Sequence, residues 1–516
     1  MSKKLVLLAF LFVLSMLTTN ADAMFLYENV YYEPVNDSVA EVVKARRTGR
    51  YFTITIPQTV EHENRTYAVE GIRDRAFAEN EIDTLVIGNN VKRIEEYAFK
   101  KAVVKNVKTS LKTWLNIDFE GGESTPVVGY HVYAAIIKDN KCYELKTVNH
   151  RANVFFDGVL VDSIIIPKNV KKIKDWVFTG FKLKYLNADS VNEIGVGSFR
   201  SAEINELSVS KALKTIGDTA FYESYTKKNV GDFNGVKDIG VVAFGNARGV
   251  ETPPFGDSIE TIGDYAFYPC SHYEEGRKTK IGKSIKFIGK GNSSLFWGDE
   301  LNIADIGAWM NAVVDSEIIG LPKKVYVAGK EMTPKDTLVI PETVSHIGAT
   351  NMLVFCKSCS SVVIPQTVTS IARFAFFNRS DPYTAGNINL FSYLKSIIVE
   401  NPTPPLANWE TFPVDVYRNC ELVVPKGAES AYLNAEPWRQ FTKFSGVDGV
   451  ERDGTAVSVN VSGCEITVNG TATNSVVEAY SAGGQLVYKG TAGTFTVPGK
   501  GIYIVRVCGK AIKVAV

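Results

Sequence analysis

Leu213-Lys214-Thr215-Ile216-Gly217-Asp218-Thr219-Ala220-Phe221 and Val236-Lys237-Asp238-Ile239-Gly240-Val241-Val242-Ala243-Phe244 are one phrase written twice. A small apolar residue is followed three positions on by Ile, and five after that by Phe. The same skeleton runs through Val91–Ile94–Phe99, Val170–Ile173–Phe178, Val191–Ile194–Phe199, Ile259–Ile262–Phe267 and Val368–Ile371–Phe376. From Phe178 to Phe267 the successive Phe residues stand 21, 22, 23 and 23 positions apart. A period in this range means one supersecondary unit, repeated and stacked. Each copy is too small to bury its own apolar face, so the copies bury one another's.

The fuller copies open on a β-branched run that ends in Pro: Ile164-Ile165-Ile166-Pro167, Leu338-Val339-Ile340-Pro341 and Val362-Val363-Ile364-Pro365. Such a run reads as a short strand, which Pro ends by removing a donor. The Val and Ile that follow form a second, shorter strand. Gly195, Gly217, Gly240, Gly263, Gly289 and Gly348 come directly after that Ile, but Arg73 and Lys174 hold the same place. The position therefore does not strictly demand a positive φ. The unit closes on a small residue plus Phe, and Phe77, Phe99, Phe178, Phe199, Phe221, Phe244, Phe267 and Phe376 are expected to be core rungs between coils.

This pattern of Ile-Pro strand, Val, Ile-Gly and Ala-Phe resembles the BspA-type leucine-rich repeat of bacterial surface proteins. Tyr31 and Tyr32, the strand Ile54-Thr55-Ile56-Pro57 and the run Tyr67 to Ile72 resemble that family's opening unit, which would cap the core end. The implied fold is a β-rich solenoid of leucine-rich repeats, mainly short strands with a few short helices, followed by a small antiparallel β-sandwich. Two long units, about 111–166 and 303–340, interrupt the period; each has a Trp (Trp114, Trp309), a polar insert and a Tyr-centred strand. The first carries an extra insertion at about 136–158. The array is expected to span 24–445, with Glu429 to Phe441 as a short helix over its open end and 446–456 as linker.

Residues 457–516 alternate apolar and polar side chains in short runs broken by Gly483-Gly484, Gly499 and Gly501, which predicts the antiparallel sandwich. Val477-Glu478-Ala479-Tyr480, Gly484-Gln485-Leu486-Val487 and Gly501 to Val507 resemble the C-terminal sorting domain of the type IX secretion route of Bacteroidota. At the other end, Lys3 and Lys4 precede an apolar run from Leu5 to Leu17, and Ala21-Asp22-Ala23 supplies small residues for a signal peptidase. Residues 1–23 read as a signal peptide cut between Ala23 and Met24. The expected location is secreted or cell surface, after export through the outer membrane of a Gram-negative bacterium.

Lys plus Arg is 57 and Asp plus Glu 56, which leaves no electrostatic footprint for nucleic acid. Lys168, Lys171, Lys172 and Lys174 form a local basic group, best read as a solvated face of one coil. His62, His131, His150, His272 and His346 show no metal-ligand spacing, and no nucleophile elbow or phosphate-binding glycine loop occurs. We therefore assign no catalytic, cofactor or metal residues. Of seven Cys, Cys356 and Cys359 read as buried small hydrophobes rather than a redox pair, and Cys464 could pair with Cys508.

Tyr222, Tyr225, Tyr268, Tyr273 and Phe377 follow core Phe positions, where the chain turns outward. They are the candidate binding surface for an extracellular protein or glycan, with covering of neighbouring coils as the competing reading. The resemblance implies adhesion to host proteins or other cells. A glycan-binding or structural envelope component is the alternative reading, and a hydrolase on the same scaffold a further one.

Overall fold

The computed structural model describes residues 24–47, 49–128, 136–138, 141–143, 151–229, 233–249, 256–268, 278–296, 298–316, 321–355, 357–376, 393–447, 458–469, 476–491, 493–507 and 510–516. The signal-peptide expectation for 1–23 and most of the expected linker lie outside them. Two compact units are present: the described residues of Met1–Ser208 with Thr219–Val230, and those of Val209–Asp218 with Gly231–Val516.

The first unit opens on an antiparallel hairpin, Phe25–Tyr27 with Val30–Pro34, whose second strand pairs Val39–Ala45. Val39–Ala45 then runs parallel to Arg65–Ile72, which runs parallel in turn to Arg93–Ile94. Arg50–Ile56, Glu81–Ile87, Val103–Thr109 and Asn153–Phe156 form one parallel face. Two-residue strands, Arg93–Ile94 with Asp118–Phe119 and Lys172–Ile173 with Glu193–Ile194, form another. Strand pairs in parallel register leave Ile on Ile, as at Ile173 and Ile194, which stacks like side chains along the array.

The second unit repeats the plan. Asp238–Ile239, Thr261–Ile262, Phe287–Ile288 and Val313–Val314 are parallel two-residue strands. The longer strands fall in two sets, Lys278–Ile281 to Lys324–Val327 and Thr337–Val339 to Lys443–Val447. The chain therefore folds as the expected β-solenoid with few short helices. Its end departs from expectation in detail: Glu429–Leu433 is helical, but Lys443–Val447 follows as one more parallel strand on Glu421–Pro425. A strand, not a helix, is last in that sheet. Beyond it, Ser458–Ser462, Glu465–Asn469 and Thr494–Thr496 form one antiparallel sheet, and Leu486–Thr491, Val476–Ser481, Ile502–Val507 and Lys510–Ala515 another. Ile466, Val468, Phe495, Val477, Val505 and Val507 are buried in one cluster drawn from both sheets.

The Phe residues sit on a third side of the coil, a turn with its own ladder. Two positions before Phe, the backbone is left-handed at Arg75, Trp176, Gly197, Thr219, Val242, Tyr265 and Phe374; two positions after, it is so again at Glu79, Lys101, Gly180, Ser201, Glu223 and Asn246. The alternation swings every second amide along the stack. Trp176 N donates to Val196 O, Phe178 N to Ser198 O and Gly180 N to Arg200 O, each at 2.8 Å. Left-handed backbone costs a non-glycine residue about 1–2 kcal/mol, less than the penalty for leaving a buried amide unpaired, and the ladder it makes possible repeats in coil after coil.

The amide two positions after the inward Ile is met by a side chain. Asp175 accepts from Val196 N at 2.9 Å, Asp218 from Val241 N at 2.7 Å and Asp264 from Lys290 N at 2.9 Å. The Gly ahead of it is explained by proximity, since none of the glycines after Ile has a positive φ. A Cβ on Gly240 would lie 2.5 Å from Asp218 N, and one on Gly263 2.7 Å from Val241 N. At the same position Arg73 N donates to Val42 O of the capping strand, and Lys174 Nζ donates to Asn116 O.

Candidate binding surface

The core rungs come first, since they decide which aromatics remain outside. Phe77, Phe99, Phe178, Phe199, Phe221, Phe244, Phe267 and Phe376 are all buried. Neighbouring rings stack along the array, Phe77 on Phe99 at 5.3 Å, Phe178 on Phe199 at 5.5 Å, Phe199 on Phe221 at 5.1 Å and Phe244 on Phe267 at 5.3 Å. Trp114 and Trp309, in the two long units, are also fully buried. Each sits on a one-turn helix capped by Ser110 or Asp305, and its indole N–H donates to a main-chain carbonyl, of Val177 or Asn351, at 2.8 Å. These Trp residues tie a long unit to a later coil and are not available to a partner.

Of the five candidate surface aromatics, Tyr225 is 43 % and Tyr268 54 % exposed. Tyr222 is half-buried and covers the guanidinium of Arg200 at 5.2 Å, which also lies 5.9 Å from the Trp176 ring. Tyr268 meets Tyr265 edge-on at 5.7 Å. Tyr273 and Phe377 lie outside the described residues. Trp176 and Tyr265 have a packing role as well: a Cβ on Gly197 would lie 2.2 Å from the Trp176 ring, and one on Gly291 2.1 Å from that of Tyr265. Glycine in one coil makes room for a flat ring from the coil before.

Several described residues outside the sequence-based set, Phe52 at 77 % among them, are more exposed than any described member of it. Leu406 is 78 % exposed and Trp409 68 %. Leu406 bridges to Ser370, in the slot just before the inward Ile371, where other coils place Thr261, Asp238 or His346. An apolar residue in that outward slot was the available signal.

Several acids pair across coils. Glu41, almost buried, receives Arg73 at 2.9 Å and Arg93 at 2.6 Å; burial alone would raise its pKa, but the two guanidinium groups hold it below the ordinary glutamate range. Lys172 pairs with Glu193 at 2.5 Å and Lys174 with Asp118 at 2.6 Å, so part of the basic group is neutralised along the stack. Among the described residues, no three His, Cys, Asp or Glu side chains gather as a metal site. His346 Nδ1 lies 2.7 Å from Ser370 Oγ, a pair within the outer face. Cys359 is buried with its thiol 3.5 Å from Phe355 O, Cys464 carries a free thiol, and Cys356 and Cys508 lie outside the described residues. No described helix is long and apolar enough to cross a membrane.

Stacked parallel coils with a recurring Ile and Phe define the class, a leucine-rich repeat solenoid. Residues 54–117, 150–274 and 331–397 match the model of the BspA type leucine rich repeat region, in six copies. No curated protein matches the chain. Among solved structures, the pneumococcal vaccine antigen PcpA is similar at 13 % identity, over 83 % of this chain and 98 % of that one, with a TM-score of 0.38. A leucine-rich repeat protein from Bacteroides ovatus ATCC 8483 shares 17 % identity over 82 % of this chain and all of its own, with a TM-score of 0.39. A leucine rich cell surface protein from Faecalibacterium prausnitzii A2-165 shares 14 % over 74 % and 96 %, with a TM-score of 0.30.

Proposed function

We propose that this chain is an exported, non-catalytic scaffold that binds protein through side chains standing out from its coils, and that its biological use is adhesion to host proteins or other cells. The observation carrying this reading is the contrast between the two kinds of side chain just described. Glu41, Asp118, Asp175, Glu193, Asp218 and Asp264 are engaged in holding coil to coil, whereas Trp409, Leu406, Tyr268 and Tyr225 are left outward on a pinned backbone. Large side chains held on a rigid frame lose little freedom on binding, which favours recognition.

Residues 24–516, immobilised, are expected to capture protein from host extract or purified matrix proteins, and a variant with Trp409, Tyr225 and Tyr268 changed to Ser should capture several-fold less with unchanged circular dichroism. Capture only on a glycan array would favour the carbohydrate-binding alternative, and no loss in the variant would reject these residues as the surface. Residues 457–516 are proposed as the sorting signal; a chain lacking them should stay in the periplasm, and normal display would reject the assignment.

A further inference from the structure

In the second unit, the antiparallel C-terminal domain lies against the repeat coils. One face of its four-stranded sheet fills the domain's own core with Val477, Val505 and Val507. The opposite face presents Tyr480 and Ile504, with Leu486 beside them, and these pack on Val339, Val363 and Ile398 of three successive parallel strands. Tyr480, Val339 and Val363 are thereby buried. At the turn, Gly484 comes so close that a Cβ would lie 3.2 Å from Val339 O. Polar contacts ring the apolar centre: Arg506 donates to Thr337 Oγ1 at 3.2 Å, Lys330 Nζ to Leu486 O at 3.4 Å, and Lys513 pairs with Glu342.

We propose that the C-terminal domain is a reversible cover over an apolar strip made by Val339, Val363 and Ile398, so that the chain carries a second binding surface closed by its own last domain. The partner chemistry the strip accepts is the one seen on it, a β-sheet face with an aromatic and aliphatic centre and a basic rim. Its composition marks it out: strands Thr337–Val339 and Ser361–Ile364 are buried throughout, whereas most strands of the array alternate buried and accessible positions. Sheet strands buried on both faces need an occupant on each. Ten residues, 448–457, connect the last repeat strand to the domain. A connection of that length holds the two surfaces at an effective concentration on the order of millimolar, so a dissociation constant of about 0.1 mM in trans keeps the strip about nine-tenths covered. That is tight enough to close and weak enough to open.

The test uses the full chain with a protease site placed within 448–457. After cutting, the two pieces should co-elute at high micromolar concentration and separate on dilution, and dye binding to exposed apolar surface should rise as they part. Val363→Asp should release the domain at once. Because that variant could fail to fold, the pair Lys513–Glu342 gives an independent reading: Lys513→Glu should weaken association by about fivefold, the scale of an exposed ion pair, and adding Glu342→Lys should restore it. Separation of the cut wild-type pieces at every concentration, or co-elution indifferent to both charge reversal and Val363→Asp, would overturn the proposal. Neither result depends on whether the outward aromatics bind a partner.

Discussion

Replacing Phe199 by Ala tests the stacking logic where it is most exposed to failure. Its ring is fully buried and lies between those of Phe178, at 5.5 Å and 12° from parallel, and Phe221, at 5.1 Å and 17°. Emptying such a site costs about 3–5 kcal/mol through lost transfer energy and the cavity left behind. Phe199→Leu keeps most of the apolar volume but gives up two ring pairs, each worth about 0.5–1.5 kcal/mol. The two variants should therefore differ by roughly 2 kcal/mol. In a repeat array the loss is felt by the coil and its immediate neighbours rather than by the whole chain. Hydrogen exchange is the assay, because the amides of Phe178, Gly180, Phe199 and Ser201 are the inter-coil bonds beside the ring. A local loss of ~4 kcal/mol opens them about a thousandfold more often. Phe199→Ala should speed exchange at these four amides by that order, and Phe199→Leu by ten- to a hundredfold. Equal effects of the two variants, or less than a tenfold change for Ala, would refute the idea that the Phe column carries the array.

Gly263→Ala should destabilise the second unit, since a Cβ there meets main chain of the preceding coil that has no room to give; a melting temperature equal to wild type would dispose of the close-approach argument. Trp309→Phe keeps the ring but orphans the buried Asn351 carbonyl, at a cost of about 1–3 kcal/mol measured by denaturant titration. Glu41 has its pKa depressed in the fold, so it stabilises the capping strand Val39–Ala45 above the unfolded value and the contribution is lost as pH falls through the lower, folded one; acid unfolding of that region, followed by exchange at Arg73, should flatten in Glu41→Gln. Burial pushes the Cys420 thiol up to about 12 despite Lys443 nearby, so alkylation of the native protein at pH 8 should spare Cys420 and mark Cys464.

The repeat was legible because it rests on side chains whose spacing is visible: Ile and Phe recur since each must meet its counterpart in the next coil. The left-handed positions were not legible. Arg75, Thr219, Val242, Tyr265 and Phe374 share no chemistry, and what they share is the direction of an amide, which a neighbouring coil fixes. The glycine after Ile could be seen to be spared a positive φ, but the backbone it makes room for belongs to another coil. Residue type alone does not say which large side chains face out. Trp114 and Trp309 sit in irregular units, as binding loops do, and are core; Leu406 and Trp409 are outside.

Ile165 shows why the covered strip escaped detection. Ile164-Ile165-Ile166, Leu338-Val339-Ile340 and Val362-Val363-Ile364 are equivalent as sequence, yet Ile165 is 67 % exposed while Val339 and Val363 are buried. The difference is not in the strand but in what lies on it, the sheet face of Tyr480 and Ile504. An outward Ile with nothing over it costs little by itself, since folded surfaces carry many isolated apolar groups. Three in adjacent parallel strands are another matter, because parallel register brings like positions side by side and turns single residues into a continuous strip. A repeat array amplifies every outward substitution in this way: one apolar residue per coil is noise, and the same residue in consecutive coils is a surface that something must cover.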